Sequence, residues 1–344
     1  MLIAADPTEA RHERDTVRTA LRDLLGRAHL LAPADALAPA DVLPGERLDP
    51  HYPGTFTFAF DPPAADDPAR PDALREVAGR ARDSTRRAAG SGCPGWPVDL
   101  APAEPHLAAS VARAVAALPP GAGDIPPDVR LGDWHEKDRA VLRASVSLLG
   151  AAWPEILTEL TVTVRQIALL DGDGVSGFTD FGCHGAIFVN RRRLTDTDAG
   201  LPARVRFAEA LVHEGTHVRC NAAGWAAPLL ADPTDRSITV STPLRRDPRP
   251  LNGLFQQLAV LARCTVLYER TIAAGESHPS VAARRDVLHR HGTAAAETLD
   301  GHRAALSERG AATVDEALAA LAPTSPARGD ALAVASARVG TAGS

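Results

Sequence analysis

His213 and His217 stand four residues apart in the run Leu211-Val-His-Glu-Gly-Thr-His-Val218, with Glu214 beside the first histidine. On an α-helix, residues i and i+4 share one face about 6 Å apart, so both imidazoles can grip one metal ion. The residues upstream place the motif on a helix, because Val205, Ala208, Leu211 and Val212 repeat at helical spacing to give an apolar face. Two chemistries fit this arrangement. With zinc, a bound water takes the open position and Glu214 is the general base for amide hydrolysis. With Fe(II), the protein ligands leave neighbouring positions for a chelating 2-oxo acid and for O₂. The distal carboxylate of that acid then needs a fixed cation. Arg245, Arg246 and Arg249 cluster in a proline-stiffened loop, and Arg249, between Pro248 and Pro250, is held most rigidly. Glu214 then orients a ligand or a metal-bound water instead of acting as a base.

Two histidines need a third protein ligand. The extended motif H-E-x-x-H-x-x-G-x-x-H is absent, since Cys220 stands at its glycine and Ala223 at its last histidine. Glu269, on a later helix, is a candidate third ligand, and Asp232 and Asp235 are alternatives. His184 is the other histidine near the motifs.

The elements that must position these residues read as follows. An amphipathic helix is expected over 8–31, with Thr8 as its cap and Leu21, Leu24 and Leu25 facing inward. Alternation of Phe56, Phe58 and Phe60 predicts a strand over 55–60. Helices are expected at 72–89 and 105–118, on either side of the Gly/Pro-rich segment 90–97. A long helical pattern runs from Glu136 to about Leu160 with a kink at Pro154. Strands follow at 161–170 and 185–190, then the histidine helix. A short strand at 237–241, a helix over 250–274 and a helical stretch over 279–308 complete the pattern. From Pro323 the composition predicts a short, frayed tail. Trp225, Tyr268 and the cysteines read as structural, and nothing beyond polarity and nearness in sequence singles out Asn190 or Thr216.

A length of 344 residues allows two domains or one with a large extension. The expected divisions are a helical region over 1–130, a metal-binding domain over 131–310, and a short helix and tail over 311–344. With 37 basic against 43 acidic residues, the chain carries no electrostatic footprint for nucleic acid or an anionic membrane. No apolar run reaches membrane-spanning length, and the first residues lack the basic and apolar regions of a secretory signal. The four cysteines show no C-x-x-C spacing, as expected of free thiols in the cytoplasm.

Three segments in order carry a resemblance: Gly185-Ala-Ile-Phe-Val-Asn190, Ala210-Leu-Val-His-Glu-Gly-Thr-His217 and Ser241-Thr-Pro-Leu-Arg-Arg-Asp-Pro-Arg-Pro-Leu-Asn-Gly253. Together they resemble the H-E-x-x-H-type 2-oxoglutarate-dependent peptide β-hydroxylases, which modify ribosomally made peptides. The resemblance covers about residues 130–310. It implies a non-haem Fe(II) centre, 2-oxoglutarate as cosubstrate and a precursor peptide as substrate. In the family pattern a histidine three residues beyond the last glycine completes the metal site. Here that position is Gln256, whose neutral amide oxygen is a weaker donor than imidazole. The expected architecture is α+β, mainly helical, with a zincin-like core of a small sheet beside the metal helix. Three functions remain open: the hydroxylase, a zinc peptidase using Glu214, and a catalytically silent peptide-binding protein.

Overall fold

The computed structural model describes residues 2–27, 49, 51–62, 64, 67, 70–93, 95–118, 128–242 and 245–322. The expected tail from Pro323 lies outside them. Within these bounds the protein is mainly helical with one small mixed sheet, an α+β architecture.

Helix α1 spans Pro7–Arg27. Its cap is Asp6, not Thr8: the Asp6 carboxylate accepts from the amides of Thr8 at 2.9 Å and Glu9 at 3.0 Å. Proline at the first helical position costs nothing there, which moves the start one residue earlier. Leu21 and Leu25 are buried as expected.

The expected strand at 55–60 is instead helix α2, Pro53–Phe60. Three alternating aromatics also satisfy a helical period, because Phe56 and Phe60 lie four apart, their rings 6.1 Å from each other. Pro53 and the local i→i−4 bonding select the helix, which buries Phe56 and Phe58 and leaves Phe60 exposed. Helices α3 (Arg70–Ala89) and α4 (Pro105–Ala116) follow.

A first strand, β1 (Val129–Gly132), precedes α5 (Glu136–Ala152) and α6 (Pro154–Thr163). Pro154 breaks the expected long helix instead of kinking it. Trp153 takes φ −151° and ψ 71°, away from helical values, as the residue before proline tends to. Helix α6 runs on through Thr163, so the next strand, β2 (Gln166–Gly172), begins later than its β-branched residues suggest. Strands β3 (Gly177–Thr179) and β4 (Ala186–Asn190) lead to the histidine helix α7 (Ala203–Ala226). A two-stranded ribbon, β5 (Thr239–Thr242) and β6 (Arg245–Pro250), delivers the chain to α8 (Leu251–Ala273). The expected stretch over 279–308 ends as α9 (Pro279–Asp300), and a short turn separates it from α10 (Glu308–Leu321).

The sheet order is β1-β2-β4-β3, with a parallel central pair and antiparallel edges. Register pairs Ile167 with Ile187 and Leu169 with Val189. These four residues enter the main core with Val205, Leu211 and Val212 of α7 and much of α8. The alternate residues Ala168, Leu170 and Phe188 pack under Leu107 and Val111 of α4. Both faces of the central strands are therefore covered, which explains their near-continuous apolar sequences. Leu2, Ile3, Trp96 and Val98 share the main core with α5, α7 and α8, so residues on both sides of position 130 are buried together.

A buried ionic cluster ties the N-terminus to this core. Glu159 of α6 accepts from Arg219 of α7, from Arg263 of α8 and from the amide of Asp6. Arg219 also pairs with Glu9 and Glu13 of α1, and Arg263 donates to the carbonyls of Leu2 and Ala4. Both guanidinium groups are fully buried.

Candidate metal site

Most of helix α7 is buried, and its two histidines are partly exposed. The His213 side chain is 27% exposed. The ring centroids of His213 and His217 lie 5.2 Å apart with planes at 61°, the adjacency expected of i,i+4 residues. Gly215 lies between them because α6 presses there: a Cβ would sit 2.2 Å from Leu160 Cδ2. A side chain at Gly215 would have to displace the terminal methyl of Leu160 on α6.

Gln256, from the second turn of α8, reaches the pair. Its Oε1 is 3.0 Å from His217 Nδ1, and its Nε2 donates to Asn221 Oδ1 at 3.2 Å. Asn221 lies one turn beyond His217 on α7, so the amide of Gln256 is held from one side while it meets the ring on the other. Asn221 carried no sequence signal, since only the packing of α8 on α7 gives it a role.

Glu214 is buried under edge strand β3. A Cβ on Gly177 would fall 2.6 Å from Glu214 Oε1, so the strand can come this close only with glycine. Oε1 is 4.0 Å from His213 Nε2, and Oε2 is buried without a hydrogen-bond partner among the described residues. Burial pushes Glu214 up to about 8, opposed by the charge of Arg193. Burial pushes His213 down to about 3, helped by His217. It lowers His217 too, against the hydrogen bond to Gln256. Both rings are therefore neutral and keep a lone pair for a metal.

Arg193, on the turn between β4 and α7, is a functional candidate that sequence reasoning missed. Its charge acts on both His213 and Glu214, and its buried Nε has no hydrogen-bond partner. It lies 3.9 Å from Glu209, one helical turn before His213. Glu209 is buried and accepts from Tyr268 Oη at 2.6 Å and from Arg284. Burial alone would raise its pKa, but Arg284, Arg193 and Tyr268 together bring it down to about 2. An ionised carboxylate thus faces Arg193 at the rear of the site. In sequence Arg193 is the last of three consecutive arginines, a run that carries no motif.

The other expected third ligands do not join the pair. His184 packs its ring on Phe56 and Phe181, at 5.2 and 5.9 Å. Glu269 is half-buried and faces Arg285 and His289 of α9. Asp232 and Asp235 are exposed and accept from Thr234 and Ser237 in local turns. Among the described residues, no group of three His, Cys, Asp or Glu side chains is placed to hold a metal. Gln256 is the polar side chain in contact with the pair.

Arg245, Arg246 and Arg249 lie on strand β6, not in a loop, with Arg249 paired to Val240 and Arg245 to Thr242. Their side chains fall outside the described residues. Asn190 is structural: its amide donates to the carbonyls of Gly172 and Val175 at 2.9 Å each. Thr216 bonds back to Val212 within the helix. Trp225, expected in a core, is 48% exposed and stacks on Phe181 at 5.5 Å.

One consequence concerns stability. Burial raises Glu214 from an ordinary 4.5 to about 8. Between these values the folded chain holds a proton that the unfolded chain has lost, so metal-free stability falls as pH rises through that window. Glu214→Gln should flatten this alkaline limb, with an upper bound of about 5 kcal/mol at pH 9. Urea midpoints of both proteins without metal, from pH 5 to 9, are the measurement. Parallel profiles would refute it. No protein-family model matches the chain, and no curated protein matches it in sequence.

Proposed function

We propose that this chain is an Fe(II)- and 2-oxoglutarate-dependent hydroxylase acting at a β-carbon of a ribosomally made peptide. The observation that carries the reading is the pair of neutral imidazoles on one face of α7, half-open to solvent, with the amide of Gln256 against one of them. The donor set suits a borderline divalent metal. The buried, unpartnered Oε2 of Glu214 fits a nearby dication as well, since positive charge would hold this carboxyl ionised. A small sheet whose edge strand lies against Glu214 supports the zincin-like form of the core. The resemblance of three ordered segments favours iron over zinc.

In this reading His213 and His217 hold the metal. His217 Nδ1–H donates to Gln256 Oε1, which turns the Nε2 lone pair outward and fixes the tautomer. With Gln256 as third ligand, the same oxygen would serve the metal directly. Fe(II) bound here would supply, with 2-oxoglutarate and O₂, the oxidant that replaces a C–H hydrogen by hydroxyl. Glu214, held ionised by a bound dication, orients what binds there. A guanidinium pairs with the distal carboxylate of the oxo acid. Arg249 is one candidate, with Arg245 and Arg246 beside it on the strand, and Arg193 is a described cation whose charge acts on both His213 and Glu214. The cytoplasmic setting belongs to the same proposal. It agrees with four buried, unpaired cysteines and with the absence, among the described residues, of a helix long and apolar enough to cross a membrane.

The test is calorimetric titration of 2-oxoglutarate into anaerobic, Fe(II)-loaded protein, together with succinate release on adding O₂ and peptide. Removing the anchoring arginine should weaken binding about 30- to several-thousand-fold, the usual loss for a bidentate pair, and leave metal stoichiometry intact. Arg193→Ala, Arg249→Ala, Arg245→Ala and Arg246→Ala are compared singly. If none of the four weakens binding, no arginine of this site anchors the cosubstrate. No 2-oxoglutarate binding, with zinc-dependent peptide cleavage lost in Glu214→Gln, would replace the hydroxylase by the peptidase.

A further inference from the structure

Away from the histidine pair, two adjoining depressions run between α1, α2 and the turn before β4. The first is an apolar groove of about 250 Å³, floored by Val17, Leu21 and Phe56 and walled by Phe60, Phe181 and Trp225. Phe60 and Trp225 are the two large apolar side chains most exposed among the described residues, at 49% and 48%. The second is a narrow pocket of about 20 Å³ that shares Val17 and Phe56 with the first. Its wall is basic: Arg14, Arg18 and Arg165 line it with His51 and His184.

Two nitrogens of this wall, Arg18 Nε and His184 Nδ1, are buried without a hydrogen-bond partner among the described residues. Buried donors left unmade cost free energy, so such atoms mark where an acceptor belongs. Two carboxylates stand nearby. Arg14 pairs with Asp15 at 2.9 Å, and Asp49 accepts from the amide of His51 at 2.8 Å. A third, Asp23, lines the apolar groove. The polarity is therefore directional, with Asp23 along the groove and three guanidinium groups in the pocket beyond Phe56.

We propose that this cleft docks a peptide segment presenting a bulky apolar side chain next to an aspartate or glutamate. The apolar side chain fills the groove against Phe181 and Trp225. The carboxylate enters the basic pocket and accepts from Arg18 and His184. Charge complementarity selects the occupant. Three arginines line the pocket, Arg18 Nε is a buried donor without an acceptor among the described residues, and the neutral His184 ring donates from Nδ1 as its Nδ1–H tautomer. The pocket therefore favours an anion and the joined groove an apolar group beside it. The choice of a peptide rests on the peptide-substrate reading above; the cleft itself does not. Held here, a substrate would be anchored beside the far end of α7, where Ala222 and Trp225 follow His217 on the same helix.

The experiment is selection of a phage-displayed random dodecapeptide library on the full-length protein without added iron or cosubstrate. The expected consensus is an aromatic residue or leucine adjacent to Asp or Glu. The selected peptide should shift the emission of Trp225. Its affinity should fall about 10- to 100-fold in Arg18→Ala and in Arg165→Ala, the loss for one charge-assisted hydrogen bond. Replacing its acidic residue by the amide should cost the same. No consensus, a consensus without acid, or unchanged affinity in both arginine variants would overturn the proposal. So would arginine-dependent binding of decanoate with no peptide enriched, which assigns the cleft to an acyl carboxylate. Acidic peptides that bind but are never hydroxylated would count against the hydroxylase reading and leave the cleft standing.

Discussion

His213→Ala and His217→Ala should each abolish stoichiometric binding of Fe(II) or zinc. Removing a partner that merely orients a metal-bound histidine costs about 10- to 100-fold in affinity. Removing one of two imidazoles from a site with no third His, Cys, Asp or Glu in place among the described residues should cost well beyond that. Gln256 sets the scale for the comparison. With Oε1 at 3.0 Å from His217 Nδ1, Gln256→Ala should weaken metal by about the orienting amount, 10- to 100-fold. Gln256→His should tighten it where the side chain occupies the third-ligand position, because imidazole is the stronger donor to these metals. Metal content after dialysis and anaerobic titration with Fe(II) read all four variants. Full occupancy in both alanine variants would end the helix-site reading. Gln256→His binding no tighter than the native protein would restrict Gln256 to holding His217. Circular dichroism separates loss of metal from loss of fold, since the half-exposed histidines contribute little to the core.

Glu159→Ala should destabilise the protein by about 3–5 kcal/mol, the cost of breaking a buried charge network by removing one side. Glu159 is the shared acceptor for Arg219 and Arg263, both fully buried, and it also holds the amide of Asp6. Truncating it leaves Arg263 without its carboxylate partner in a place where water cannot replace it. Arg219 keeps Glu9 and Glu13, so the larger share of the loss falls on α8 and the chain ends that Arg263 ties down. Urea denaturation at pH 7 measures the loss, and Asp315→Ala, which breaks the exposed Arg303–Asp315 pair, is the control expected to show no measurable change. Comparable losses in the two variants would show that the buried cluster is not what fastens α1 and the N-terminus to α7 and α8. The consequence for the site is direct. Arg219 sits two residues beyond His217, so loosening this cluster should also lower metal affinity, though less than losing a histidine.

Much of this molecule is written in short-range pattern. The four-residue spacing of His213 and His217 needs only a helix, and the apolar repeat from Val205 to Val212 supplies one wherever the helix packs. The apolar runs that became β2 and β4 were legible because strands covered on both faces read as continuous apolar sequence, although the β-branched residues 161–163 close α6 instead of opening β2. Proline marked the break at Trp153–Pro154, though not that a second helix would begin there.

What lay beyond that range was decided by packing. Phe56, Phe58 and Phe60 fit a strand and a helix equally, and the period of three residues cannot choose between them. Strands β1 and β3, four and three residues long, exist only because β2 and β4 offer them an edge. Glu269, His184, Asp232 and Asp235 were equivalent candidates in one dimension. In the fold, none of them joins the histidine pair in a group of three such side chains among the described residues. Arg193, Asn221 and the carboxylate of Glu209 came to the site with no motif of their own. Glu159, Arg219 and Arg263 are ordinary charged residues in sequence and a fully buried network in space. Helical periodicity acts over a few residues and is encoded locally. The company a side chain keeps depends on which surfaces the whole chain buries against one another, and only the folded core of α1, α6, α7 and α8 determines that.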